Sequence, residues 1–327
     1  MKIVVTGGCG FIGSVTACLL RDAGHDVLAL DDMSDKAPGA VAALRERKVT
    51  MVPLDVRNYD KMKMWLESYE ADAVCHFAAR MKIAEAEREI NEYADTNVVG
   101  TACVVRVVAE LGIKKLLFAG TSAVYDESAP SPVAETAPIK PAGWYGHTKL
   151  MAEDLIRRFS DRVRAVLFRF GTVIGAANGI FASRKNEEHL FSRAVKAAMQ
   201  GEEFTIHGDD WPTADGTCER DYVHVLDIAD AFAAALTTAV YDSRPPEVVN
   251  LGTGQLTSVK KALEIVQGVV GKPIKWKVGP RRPGDPASYC LDSRRAKSLI
   301  GWEAKRPIAE AVKDAWEARQ AALAERS

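Results

Sequence analysis

The chain has 327 residues, a length that fits about two domains of ordinary size. Hydrophobic residues make up 47% and charged residues 27%, a globular composition that excludes extended disorder, collagen-like repeats and coiled coil. Lysine and arginine number 43 against 44 acidic residues, a formal charge of −1, so no basic field exists for nucleic acid or an anionic membrane.

In chain order, short β-branched or apolar runs alternate with helix-length segments. Strands are predicted at 2–5, 27–30, 49–52, 73–77, 115–119 and 164–168, with helices at 12–23, 92–111 and 145–159 among the connections. Six buried strands separated by helices predict an α/β fold with a Rossmann-like, doubly wound parallel sheet. After Phe170 the texture loosens, predicting a smaller C-terminal substrate-binding α/β lobe with a helix at 189–200, a strand at 248–251, a helix at 258–270 and a closing helix at 308–324. The expected division is therefore 1–170 for the dinucleotide-binding domain and 171–327 mainly for the second lobe, the chain returning to the first around 222–252. The helix at 92–111 is apolar on more than one side. Either the second lobe covers the spare face or a second copy does, and a homodimer is expected.

The six cysteines are scattered without paired spacing, as expected of reduced thiols in a cytoplasmic protein. No leader-like segment and no membrane-length apolar stretch is read from the sequence. The six histidines lack ligand-like spacing, so no metal site is expected.

"VVTGGCGFIG" places Gly7, Gly10 and Gly13 between the first strand and the first helix. Glycine there lets the backbone approach a pyrophosphate, while the helix end offers N–H donors and positive potential. Asp31 ends the second strand, where a carboxylate can accept from both hydroxyls of an adenosine ribose and would repel the extra phosphate of NADP. NAD is therefore the expected cofactor. Asp32 competes for the same role, and a solvated acid pair is the alternative; Asp55 and Val56, after the third strand, are placed to bracket an adenine.

Tyr145 and Lys149 stand four residues apart on a predicted helix, so both project from one face. Thr121 and Ser122 follow the fifth strand, at the carboxyl edge where open α/β sheets bind ligands. An ammonium about 4 Å from the phenol contributes roughly 4 kcal/mol at an effective dielectric near 20, enough to bring a tyrosine pKa of about 10 down by some three units. Tyr145 would then serve as a base near neutrality.

"TGGCGFIG", "HFAA", "TNVVGT", "TSAVY", "YGHTK", "DDWPTADGTCERDYVHVLDIADA", "NLGTG" and "RRPGD" fall in order along nearly the whole chain. Together they resemble the extended short-chain dehydrogenase/reductase superfamily, and within it the branch of UDP-glucose (UDP-galactose) 4-epimerases. The resemblance implies an NAD-dependent isomerase acting on a UDP-hexose. Tyr145, helped by Thr121, takes the proton of the 4-hydroxyl while hydride passes to NAD, and a transient 4-keto sugar turns over before hydride returns. It also implies that Phe11, Ile12, Phe77, Ala78, Ala79 and Phe170 line the cofactor and that Asn97 supports the active-site helix. Arg220, Arg282 and Asp285 would hold the UDP, with Lys82, Thr172, His189, Leu190 and Tyr289 near the substrate. Arginine suits phosphate because its planar fork bonds bidentately; surface salt bridges are the alternative for Arg220 and Arg282.

The sequence departs from the family pattern around the sugar. Gly171 and Thr172 stand where Phe-Asn is usual, Asp126 stands for the glycine of "VYG", and Lys82 matches only with a one-residue shift. Tyr289 occupies the position where a bulky residue disfavours N-acetylated sugars. The alternatives are a 4-epimerase of a UDP-uronic acid or N-acetylated hexose, a nucleotide-sugar dehydratase or decarboxylase, and, in a different class, a non-catalytic NAD-binding regulator. Dehydratases place Asp-Glu after the catalytic threonine; Ser122 and Ala123 stand here, which leaves elimination without an acid or base.

Overall fold

The computed structural model describes residues 1–182, 190–238, 240, 246–282 and 285–324. Seven strands form the main sheet: β1 (Lys2–Thr6), β2 (Asp26–Asp31), β3 (Thr50–Pro53), β4 (Ala73–His76), β5 (Lys115–Ala119), β6 (Ala165–Phe170) and β7 (Glu247–Leu251). All pair in parallel, in the order β7-β6-β5-β4-β1-β2-β3. The order reverses at β1 and β4, which puts a crevice at their carboxyl ends. The central strands are apolar on both faces because helices cover both.

On one face α1 (Phe11–Asp22) packs beside the later helix Val225–Thr237, sharing a core with Val5, Ala29, Phe168 and Phe232. On the other face lie the helices Tyr59–Tyr69, Gly100–Leu111 and Trp144–Arg158, over Val4, Leu28, Leu116 and Leu167. A third core, built on the helices Leu190–Gln200, Val259–Val270 and Ile308–Ala324, fills the second lobe.

One feature differs from the sequence expectation. The single helix predicted over 92–111 contains a wide π-turn at Asp95–Val99. Its cause is Asn97, whose buried amide accepts from the Arg80 N–H (2.8 Å) and donates to the Arg80 carbonyl and the Thr148 hydroxyl (3.0 Å each). The extra residue in that turn swings the amide inward. The strand at 248–251, in the stretch expected to return to the first domain, joins the main sheet: Glu247–Leu251 runs along β6, with Val249 and Leu251 fully buried.

A charged pair ties this sheet to the helix Trp144–Arg158. Glu153 on the helix and Arg169 on β6 are 0% and 2% exposed and meet through two hydrogen bonds of 2.9 and 2.5 Å. Breaking this pair leaves the buried Glu153 carboxylate only the long contact to Arg157 at 3.5 Å. Arg169→Ala should therefore lower the unfolding free energy by about 3–5 kcal/mol in urea titrations; a loss below about 1 kcal/mol would show that solvent reaches Glu153.

Candidate active site

At the amino end, β1 runs into Gly7, whose φ of +67° is left-handed. A Cβ on Gly7 would lie 2.7 Å from the Ala78 nitrogen, and one on Gly13 would lie 2.2 Å from the Gly7 carbonyl oxygen. Only glycine lets α1 start this close to the strand. The Gly10 N–H donates to the Gly7 carbonyl (3.0 Å), and α1 begins without a side-chain cap. Its first N–H groups, from Phe11, Ile12 and Gly13, have no acceptor inside the helix. This is a cradle fitted to a diphosphate.

Asp31 ends β2 with its carboxylate buried against the glycine turn, accepting from the Cys9 N–H (2.9 Å) and the Met33 N–H (2.8 Å). Burial pushes its pKa up, and the two N–H groups pull it back. Asp32 points the other way and caps Ser34, so of the two neighbours Asp31 faces the cradle. Asp55 is taken by a fork from Arg57, which holds its carboxyl below the usual range, while Val56 is buried against Gly100. Phe77, Ala78 and Ala79 follow β4 half-buried, with Phe77 stacked 4.4 Å from Phe232; Phe170 closes β6, buried. The glycine cradle, the inward acid and these apolar neighbours fit NAD.

At the catalytic end, Gly146 brings the first turn of the helix Trp144–Arg158 against the loop after β5: a Cβ there would lie 2.5 Å from the Ala123 carbonyl oxygen. Thr121 and Ser122, both buried, start that loop, and the Thr121 hydroxyl accepts from the Ala123 N–H (3.2 Å). Tyr145 lines the cavity. One turn on, Lys149 is 3% exposed, with its ammonium 4.2 Å above the Phe118 ring. Burial drives its pKa down from 10.5 to about 7, against the pull of Glu153. His76 is also buried, bonded to the hydroxyls of Thr6 (2.6 Å) and Thr101 (3.0 Å), and burial together with Lys149 lowers its pKa to about 3. It is therefore neutral, and adds no second charge beside the lysine.

The cavity, about 920 Å³ including its open mouth, lies between the lobes and carries Ser122, Tyr145, Gly171, Thr172, Arg220 and Tyr289 on its wall. Arg220 donates to the carbonyls of Glu219 and Pro286 (2.8 Å each) and meets Asp285 at 3.3 Å. The Tyr289 hydroxyl donates to the Ser122 carbonyl (3.1 Å), and burial pushes its pKa up to about 12. The remaining predicted residues are not on the described wall. Lys82 turns to Glu85 (3.1 Å), leaving Ile83 at the cavity; Arg282 is exposed, and Leu190 is half-buried at the start of its helix beside the second-lobe core. His189 lies outside the described residues.

Three site groups escaped the sequence. Asp221, buried, accepts from the Thr253 hydroxyl (2.5 Å) and from the N–H groups of Thr253 (3.0 Å) and Gly254 (3.1 Å). Glu153 and Arg169 steady Lys149 from below, and the Arg169 guanidinium also stands 4.8 Å over the Tyr125 ring. Glu127 lines the cavity mouth. Of these, only the spacing of Glu153 four residues beyond Lys149 could have been read beforehand.

A dinucleotide cradle joined through one sheet edge to a tyrosine–lysine helix defines an NAD-dependent enzyme class. Residues 3–252 match the model of the NAD dependent epimerase/dehydratase family, and the chain belongs to that family. It is 37% identical over 331 residues to a UDP-glucose 4-epimerase of Corynebacterium glutamicum, covering 100% of this chain and 98% of the relative. It is 36% identical to a UDP-glucose 4-epimerase of Halalkalibacterium halodurans, over 97% of this chain and 95% of the relative. Among solved structures, a UDP-glucose 4-epimerase from Stenotrophomonas maltophila with bound NAD and formylated UDP-arabinopyranose superposes with a TM-score of 0.94 at 30% identity, covering 100% of both chains.

Because Lys149 has a pKa near 7 in the fold and 10.5 when unfolded, the unfolded chain holds the extra proton between those values. Stability from this group therefore rises with pH from about 7 to 10.5, and below pH 7 the fold carries the full cost of a buried ammonium. In the ligand-free protein, Lys149→Met should raise Tm at pH 7, by roughly 2–4 °C for each kcal/mol relieved. It should also flatten the alkaline rise in scanning calorimetry; an unchanged Tm–pH curve would place Lys149 in water.

Proposed function

We propose that the chain interconverts UDP-glucose and UDP-galactose by NAD-dependent epimerisation at C4, as an isomerase. The observation that carries this is a cavity joining Tyr145 to Arg220 and Tyr289, with Ser122 and Ala123, not carboxylates, following Thr121. Without an acid or base there, elimination at the neighbouring carbons has no support, and proton transfer at one hydroxyl remains.

NAD bound across Gly7, Gly10, Gly13 and Asp31 supplies the hydride acceptor and donor. Tyr145 takes the proton from the sugar hydroxyl and returns it, acting as base and then as acid. Lys149, whose pKa lies near 7, stabilises the phenolate as a neighbouring cation. Thr121 sits at the loop start, where its hydroxyl can hold the sugar oxygen. Asn97 supports the helix through Thr148, which in turn bonds the Tyr145 carbonyl (2.8 Å). Arg220, released from Asp285, meets the diphosphate, so the nucleotide end is gripped while the sugar is free to turn. Arg282, exposed beside this lobe, supplies a second cation on binding. Tyr289 narrows the sugar end and favours a plain hydroxyl over an N-acetyl group.

We further infer a homodimer through the outer face of the helices Gly100–Leu111 and Trp144–Arg158, where Val99 and Met151 are exposed. Light scattering after gel filtration should give twice 35.6 kDa; the single-chain mass would overturn it.

Purified protein given UDP-galactose without added nucleotide should form UDP-glucose, followed by NMR. Tyr145→Phe should keep bound NAD, seen by absorbance, and lose about 10²–10⁴-fold in kcat. Unimpaired turnover in that variant would assign the base elsewhere, and no UDP-glucose from NAD-loaded protein would overturn the substrate.

A further inference from the structure

Glu127 is a wall residue for which the chemistry above has no use. It follows the loop Thr121–Asp126 and stands at the cavity mouth with Arg220, Pro286 and Tyr289. Among the described residues no hydrogen bond or ion pair engages its carboxylate, although Arg220 and Asp285 are near enough to act on it electrostatically, and it acts on the Tyr289 phenol. Partial burial and Asp285 push its pKa up while Arg220 pulls it down.

The charge pattern of the cavity is one-sided. Arg220 is the only cationic side chain on the described wall, and it is engaged by two backbone carbonyls and Asp285. Asp221, also on the wall, is held by N–H and hydroxyl donors from Thr253 and Gly254. The sugar end offers the hydroxyl-bearing Ser122, Thr172, Tyr145 and Tyr289, and the bare backbone of Gly171. A substrate that places its diphosphate on Arg220 and its sugar against Tyr289 passes Glu127, which acts electrostatically on both groups and has no ion-pair partner among the described residues. Neutral hydroxyls can donate to it. A second carboxylate cannot, and would meet like charge at this exposed rim.

Given the UDP-sugar substrate proposed above, we propose that Glu127 is a specificity-determining residue that admits neutral sugars and rejects uronic acids by charge. Space does not make this distinction, because a carboxylate is only slightly larger than a hydroxymethyl group. The repulsive group does, and repulsion of an unwanted ligand is an efficient route to selectivity.

The test compares wild type, Glu127→Gln and Glu127→Lys, each loaded with NAD, for turnover of UDP-galactose and UDP-galacturonate and for equilibrium binding of UDP-glucose and UDP-glucuronate by calorimetry. Glu127→Gln keeps the shape and removes the charge. It should raise kcat/KM and affinity for the uronate member of each pair about tenfold, and Glu127→Lys should raise them further. The neutral sugars should change by less than about threefold, and Tm should be unmoved. The gain should shrink in high salt. Turnover of UDP-galactose with an unchanged uronate ratio in both variants would overturn the role of Glu127 and leave the epimerase standing. Absence of turnover with any of these sugars would overturn the epimerase instead, and the two binding ratios would still decide the role of Glu127.

Discussion

An ammonium with almost no water around it is the constraint on which the rest of this molecule depends. Lys149 cannot sit over the Phe118 ring unless the helix carrying it is clamped to the sheet. The clamp is the Glu153–Arg169 pair, one turn further along, which supplies the negative charge that keeps the lysine from losing its proton altogether and hands the excess to β6. His76, on the strand beside β5, is kept neutral by burial and by the lysine itself, while two threonine hydroxyls bond its ring. Glu153, Arg169 and His76 thereby each have a partner near the lysine. The same burial is a cost to the fold, and stability and chemistry pull in opposite directions at this side chain.

The nucleotide and sugar halves solve different problems on the two sides of that helix. The glycine cradle works by subtraction: side chains are missing so that backbone can approach phosphate. The sugar cavity works by placing a few hydroxyl groups and a single engaged arginine around open space. If Arg220 meets the diphosphate as proposed, an engaged arginine suits a ligand that must be released, since Asp285 can take the guanidinium back.

Most of the fold was legible in the sequence because its signal is periodic and local. Six strands fell within one or two residues of their places, since parallel strands buried on both faces read as unbroken apolar runs. The glycine turn, Asp31 and the Tyr145–Lys149 pair were legible because each depends on spacing within one element or one loop. Long-range pairing was not. Nothing local in 92–111 announces a π-turn, because its cause is Asn97 reaching Arg80 and Thr148 on other segments. Nothing in 77–86 tells Lys82 from Ile83 as the wall residue, because the decision is made by Glu85. Glu127 looked like any loop acid until Arg220, Pro286 and Tyr289, far along the chain, were brought around it.

The strand Glu247–Leu251 has a consequence for how this protein is made. It closes the sheet by pairing with β6, yet Val166 must wait for Glu247 to be synthesised. Until then a growing chain carries a nearly finished nucleotide domain with one unpaired, largely apolar edge strand, the kind of surface that seeks any strand on offer. Part of the second lobe, including the helix Leu190–Gln200, is made in the interval between the two strands, so a ribosome that stalls there releases an adhesive fragment. The natural place to cut this protein in two is therefore not after Phe170, where the sequence changes texture, because the first lobe is completed only by chain that comes after much of the second.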